Sequence, residues 1–322
     1  VSGQELAPPT GSRSGSWPPP GSAGSQVPVV AVAGCRPAPD RPADDLYPDP
    51  DSDLLVERLL AKDCDARLVA WDDPDVDWAD CDLVVVRSTW DSVDRPGDYL
   101  SWVRHVDECT AIQNPASIIE WNLDKVYLRD LAERGVPTIP TQWVFPGDGW
   151  TVPGDEFIVK PAVGSGARNI ARYSAAGVAG ARDHVSMLGD GGQTVLVQDY
   201  LSSIETAGET SIVFIGGRLS HAIRKGGFLN LDEGVLERPW ERMTYLGPCD
   251  ATPLELQVAE TTFRLVADRT TEPISYGRVD LVPGPGGRPV VIEVELIDPV
   301  LSLVAYPGSA DALAATLGRL LA

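Results

Sequence analysis

YGRVDLVPGPGGRPVVIEVEL, residues 276–296, is a pair of apolar runs on either side of PGPGG, and it reads as a β-hairpin. Side chains two apart on a strand share a face. Arg278 and Asp280 therefore lie together on the first strand, and Glu293 and Glu295 together on the second. Val279, Leu281, Ile292, Val294 and Leu296 take the opposite face, which suits a core. A loop over Gly284–Gly287 would set Arg278 opposite Glu293 and bring all four charged groups to one face. Three carboxylates that close repel one another unless a cation lies between them. Mg2+ suits such a set, because it binds hard oxygens and usually takes one or two carboxylates plus substrate phosphates. A solvated face with one salt bridge fits this stretch equally well, so the rest of the chain has to decide.

The chain has 322 residues and 43% hydrophobic content, enough for one large unit or a few small ones with real cores. Its net charge of −21 argues against a nucleic-acid or anionic-membrane partner, without excluding a local phosphate site. It has no apolar run of about 18 residues, the length a membrane helix needs. Residues 1–26 are rich in Gly, Ser and Pro, lack the apolar centre of a secretory signal and are expected to be a flexible tail. Cys35, Cys64, Cys81, Cys109 and Cys249 are scattered with no CxxC pair, which fits a reduced, cytoplasmic protein. Of 26 basic residues only Lys62, Lys125, Lys160 and Lys225 are lysines. Where arginine is the default surface cation, a lysine marks a place for a compact point charge.

Along the chain, residues 27–114 read as an α/β unit with a small, mostly parallel open sheet. Its strands are expected at 27–35, 67–71 and 82–87. Its helices are one capped by Ser52 or Asp53 and one over 96–109. Residues 115–196 form a central unit: a helix capped by Asn122 and carrying Lys125, strands at 141–145, 156–160 and 169–173, and a helix over 178–188. Residues 197–322 form a third unit, which contains a hairpin over 209–225 turning at Gly216-Gly217. A mobile loop over 226–250, a helix over 253–268, the opening hairpin and a last helix capped by Ser309 complete it. His105, His184 and His221, with Trp90, Trp121 and Tyr127, read as packing residues. Glu233, Arg238 and Arg242 are minor candidates on the loop.

Two further clusters bear on chemistry. The third strand runs into Arg87-Ser88-Thr89-Trp90-Asp91, and open α/β sheets bind ligands beyond the carboxyl ends of their strands. There Arg87 could take a carboxylate and Asp91 an amine, with Ser88 and Thr89 between them; an ordinary strand-to-helix turn is the alternative. The second cluster is dispersed. Lys160 ends a strand just before Gly164-Ser165-Gly166-Ala167, whose free N–H groups can cradle phosphate oxygens. Lys125 and Lys225 complete a set of cations suited to a triphosphate, and neither a P-loop nor a dinucleotide fingerprint is present.

In this order and combination the residues resemble the ATP-grasp superfamily. The pieces that carry the resemblance are NLDK at 122–125, FIVKPAVGSGA at 157–167, VQDYL at 197–201, GET at 208–210, RK at 224–225, YGRVDLV at 276–282 and VIEVEL at 291–296. RSTWD at 87–91, WNLDK at 121–125 and VELIDPVL at 294–301 look most like the bacterial group that includes the D-cycloserine-forming cyclo-ligase acting on O-ureido-D-serine.

The resemblance implies an α/β fold in which an N-terminal sheet domain accompanies two lobes that sandwich ATP. It also implies a reaction: a small amino-acid-like carboxylate becomes an acyl phosphate, which a nitrogen nucleophile attacks. An intermolecular amino-acid ligase and a non-catalytic regulator are the alternatives, and similar enzymes are often homodimers. Carried over, Lys125 and Lys160 touch the α/β-phosphates, and Ser165, Gly166 and Ala167 form a lid over them. Gln198, Asp199, Tyr200 and Leu201 line the adenine, and Glu209 binds the ribose. Asp280, Glu293 and Glu295 hold Mg2+, Arg278 stabilises the transferring phosphoryl group, and Lys225 adds charge. Glu295 stands where many relatives have Asn, and Gln198 where an acidic residue is common.

Overall fold

The computed structural model describes residues 27–35, 49–236 and 241–321. The expected tail, residues 36–48 and Arg238 lie outside them.

The first sheet is parallel, in the order β2-β1-β3-β4. It is built from β1 (Val29–Gly34), α1 (Pro50–Leu60), β2 (Asp65–Ala70), β3 (Leu83–Ser88), α2 (Pro96–Cys109) and β4 (Ala111–Gln113). The cap of α1 is Asp49, not Ser52 or Asp53, and its carboxylate accepts from the Ser52 amide at 3.2 Å. Pro50 at the first helical position explains the earlier start, since its fixed φ suits that place and it needs no hydrogen-bond acceptor. Three-residue β4 is too short to leave a periodic signal in the sequence.

Next come α3 (Ala116–Leu123) and α4 (Tyr127–Glu133), two helices where one capped by Asn122 was expected. Asn122 lies in the last turn of α3 and serves the edge of a later strand. Its amide donates to the Val294 carbonyl at 2.8 Å and accepts from the Leu296 amide at 2.9 Å. Tyr127 does the same at Val294, its hydroxyl lying 2.9 Å from both the amide and the carbonyl. The chain turns extended at Asp124, and Lys125 sits in that turn.

The second sheet is antiparallel, in the order β5-β8-β6-β7. It contains β5 (Thr141–Val144), β6 (Glu156–Pro161), β7 (Ala171–Ser174) and β8 (Val195–Asp199). Val144, Phe157, Val159, Tyr173, Val195 and Val197 form its core with α5 (Val178–Asp190). Strand alternation turns Lys160, Leu196 and Gln198 to the other face. The expected division at 196/197 falls inside β8, because the apolar alternation of that strand continues across it.

After the short helix α6 (Ser203–Ala207), a third sheet forms in the order β11-β10-β9-β12-β13. Its strands are β9 (Glu209–Ile215), β10 (Arg218–Lys225), β11 (Tyr245–Pro248), β12 (Tyr276–Pro283) and β13 (Pro289–Glu295), with α7 (Pro253–Ala267) before β12 and α8 (Pro307–Gly318) last. The segment expected as a loop over 226–250 thus contains an edge strand, β11, which pairs with β10 through an irregular register. Ser309 is inside α8, donating to the Tyr306 carbonyl at 2.6 Å, and Tyr306 is the residue that precedes the helix.

The hairpin forms with a different register from the one expected. Arg278 faces Glu295 and Asp280 faces Glu293, with Ile292 as the extra residue of a bulge. A loop one residue longer than Gly284–Gly287, plus the bulge, shifts the pairing by two, so the charged residues still share one face.

Each face of this sheet has a distinct partner. Ile212, Phe214, Val279, Leu281 and Val294 pack on α7, where Phe214 and Phe263 stack with centroids 4.3 Å apart. The other face changes character along its strands. Val213, Ile215 and Tyr276 pack on Leu313 and Leu317 of α8 and on Val30 and Val32 of the first sheet, while Glu209, Asp280 and Arg278 occupy the far half. Asn114 and Tyr276 fix the junction between the sheets. The Asn114 amide donates to the carbonyls of Tyr276 at 2.8 Å and Leu296 at 2.7 Å. The Tyr276 hydroxyl reaches the carbonyls of Val86, Gln113 and Ile297.

Candidate active site

The charged half-face is a chain of alternating ions. Arg278 is 5% exposed and forms a two-pronged pair with Asp280, with both contacts at 2.8 Å. It also pairs with Glu295 and donates to the Val300 carbonyl at 2.9 Å. Lys225 pairs with Glu209 and lies 3.4 Å from Asp280. Lys125 reaches Glu293 at 3.1 Å and the Gly164 carbonyl at 2.6 Å, which ties the small-residue loop to the hairpin. Burial raises the Asp280 carboxyl, but Arg278 and Lys225 outweigh it and hold the group well below the usual carboxylate range. Glu295 goes the other way: burial and its neighbours Glu293 and Asp280 push it up to about 8 against the pull of Arg278. Lys160 is buried, which pushes its ammonium down to about 8 even though Glu293 and Glu209 favour the charge.

Several of the expected site residues already have partners within the chain. The three hairpin carboxylates share a face, yet each is already engaged by a cation of the chain. Among the described residues no group of three or more His, Cys, Asp or Glu side chains is spaced to hold a metal ion. Glu209, expected at a ribose, pairs with Lys225 and accepts from the Ser211 hydroxyl at 3.0 Å.

In the small-residue loop, Gly166 and Ala167 both adopt φ of 59°, left-handed backbone that is costly for alanine. The next residue, Arg168, reaches away to Asp94 at 2.9 Å and to the Trp90 carbonyl at 3.2 Å.

At the expected adenine strand, the Gln198 amide donates to the Thr141 hydroxyl at 2.7 Å. Asp199 ends β8. Tyr200 donates its amide to Glu156 at 3.0 Å and carries the Arg172 guanidinium over its ring at 3.6 Å. Leu201 packs against the cluster of Ile139, Val282 and Val290. A cavity of about 560 Å3 beside Gln198, bounded by Leu128, Val136, Thr141, Trp143 and Val291, contains none of the charged groups of the hairpin face.

The turn after β3 is more enclosed than expected. Arg87 is 1% exposed and donates to the Pro299 carbonyl at 2.9 Å, while its Nε and Nη1 make no hydrogen bond among the described residues. Ser88 points at Gly34, where an added Cβ would lie 2.5 Å from its hydroxyl. The Thr89 hydroxyl donates to Asp298 at 3.1 Å, and Trp90 donates to the Asp298 carbonyl at 3.1 Å. Asp91, expected to hold an amine, accepts from Trp71 at 2.8 Å and pairs with Arg95 at 3.2 Å. Its carboxylate is thus part of the framework.

The family of the D-cycloserine synthetase DcsG N-terminal domain matches residues 30–114. The cycloserine biosynthesis protein DcsG of Streptomyces lavendulae is 34% identical over 265 residues, 79% of this chain and 88% of that protein. The chain belongs to the DcsG family. It is an ATP-grasp ligase that uses ATP. A crystal structure of D-cycloserine synthetase DcsG matches with 31% identity and a TM-score of 0.81, covering 91% of this chain and 100% of that one. The fold alone is shared with two more distant structures. One is a RimK domain ATP-grasp protein from Sphaerobacter thermophilus, with a TM-score of 0.60, 17% identity and coverage of 90% of this chain and 98% of that one. The other is a D-alanine–D-alanine ligase from Bacillus anthracis complexed with ATP, with a TM-score of 0.59, 10% identity and coverage of 91% and 97%.

Sequence reasoning passed over Asp298, Arg168, Asn114 and Tyr276. Asp298 stands within the quoted VELIDPVL, and Arg168 directly follows the Gly-Ser-Gly-Ala loop, so proximity was the available signal. Nothing local marks Asn114, whose partners are more than 160 positions away.

Proposed function

We propose that this DcsG-family ligase activates the carboxylate of a small amino-acid derivative, with O-ureido-D-serine the leading substrate, for capture by a nitrogen of the same molecule. The observation that carries the reading is the charged half-face of the third sheet. Arg278 and Lys225 share one ion-pair network there through Asp280, Lys125 pairs with Glu293 on the same hairpin, and the buried Lys160 senses Glu293 and Glu209. A carboxylate and a triphosphate repel each other, and fixed cations in a water-poor site remove that repulsion.

In this reading Lys125 and Lys160 contact the phosphates, with the backbone of Ser165, Gly166 and Ala167 over them. Residues 198–201 flank the adenine and Glu209 the ribose. Mg2+ fits the donors on this face, since it needs only one or two carboxylates beside phosphate oxygens. Glu293 and Glu295, each 29% exposed, are the carboxylates open to it, with Asp280 beside them in the ladder. Bound there, Mg2+ would neutralise phosphate charge.

The test is an ADP-release screen over amino acids of both hands and O-ureido-D-serine, with product masses recorded. Release with O-ureido-D-serine and a product of a single substrate's atoms is the expected result. A product joining two substrate molecules would replace the cyclising reading with an intermolecular one.

A further inference from the structure

We propose that Asp298 accepts the proton from the attacking nitrogen of the substrate, an assignment that rests on the ligase reading above. Asp298 lies three residues beyond Glu295, where the chain leaves the charged half-face. The segment is gripped from two sides: Arg87 binds the Pro299 carbonyl at 2.9 Å, and Arg278 binds the Val300 carbonyl at 2.9 Å. Asp298 is therefore held between the phosphoryl-transfer face and the turn after β3. Its side chain is half-buried, and among the described residues only the Thr89 hydroxyl donates to its carboxylate. One carboxylate oxygen is left for a substrate N–H.

The electrostatic setting agrees. Burial, with Asp49 and Asp91, pushes the Asp298 carboxyl up to about 7, against the opposing pull of Thr89 and Arg87. Cys35, Tyr99 and Tyr276 are the other titratable groups that interact with it. A base works best when its pKa lies near the operating pH. Asp91 is nearby but is committed to Trp71 and Arg95, so it is a poorer acceptor.

The step balances. The nitrogen lone pair forms a bond to the acyl carbon, and the bond from that carbon to the phosphate oxygen breaks. Inorganic phosphate leaves with the bonding electrons, and the nitrogen's proton moves to Asp298.

The experiment separates activation from capture by adding hydroxylamine, a strong external nucleophile that needs no protein base. With ATP and O-ureido-D-serine, Asp298→Asn should form hydroxamate and ADP within about threefold of wild type. Its ring-closed product should fall by about 100-fold or more, the usual scale of general-base catalysis. The wild-type rate of ring closure should drop as pH falls below 7. Thr89→Val removes the hydroxyl that lowers the Asp298 pKa, so that acid limb should move to higher pH. Unchanged ring closure in Asp298→Asn, parallel loss of hydroxamate and product, or an unmoved limb in Thr89→Val each overturns the assignment. If wild type releases no ADP with O-ureido-D-serine, the substrate reading fails and the assignment fails with it.

Discussion

The turn at residues 87–91 and the hairpin at 276–296 look alike as sequence, since both set an arginine close to acidic residues. In the fold they diverge. The hairpin turns its charges to one face, where Arg278, Asp280 and Glu295 form one network. The turn points its side chains in several directions. Arg87 is sealed under Pro299, Ser88 fills the space at Gly34, Thr89 reaches Asp298, and Asp91 braces Trp71 and Arg95. On a strand, two-residue alternation fixes direction before any tertiary contact is known. A turn has no such rule, and its side chains go where distant partners take them.

Four substitutions test this contrast. Glu293→Gln should lower ATP-dependent turnover by at least ~100-fold with folding unchanged by circular dichroism, since it removes a half-open charge from the face. Wild-type ADP release would mean that the hairpin, too, is framework. Lys160→Ala should weaken ATP binding by about 10- to 100-fold in calorimetry, the scale of a hydrogen bond to a charged group. Asp91→Asn should act in the opposite sense. It keeps an acceptor for Trp71 but loses the charge facing Arg95, so denaturant unfolding should show a loss of about 1–2 kcal/mol while KM for the amino-acid substrate holds. A raised KM with unchanged stability would make Asp91 a ligand after all. Arg168→Ala should have the smallest effect, a rise in substrate KM of about threefold, because its partner Asp94 is 57% exposed and solvent screens the pair.

Strong periodic elements such as β1, β6, β9 and the hairpin were legible in the sequence, and so was the order of lysines, loop and carboxylates that identified the superfamily. Errors arose where a side chain acts as backbone. Asn122 looks like a helix cap because asparagine often caps, yet it pairs with the edge of β13 instead. The bulge at Ile292 could not be read either, because a bulge shows only as a change of pairing. Asp298 was hidden for a related reason: its donor, Thr89, is 209 positions away.

The covered margin of β13 also bears on the chain's solubility. An open strand edge is a template for another chain, and a long apolar hairpin offers a good one. Here Asn122 and Tyr127 occupy the amides of Leu296 and Val294, and the Pro137 carbonyl takes the amide of Val291 at 2.8 Å. The opposite margin is β11, four residues long and ending in Pro248, which has no N–H to offer. The sheet that carries the charged half-face is thus closed at one border and blunted at the other, so it presents little surface for edge-to-edge aggregation.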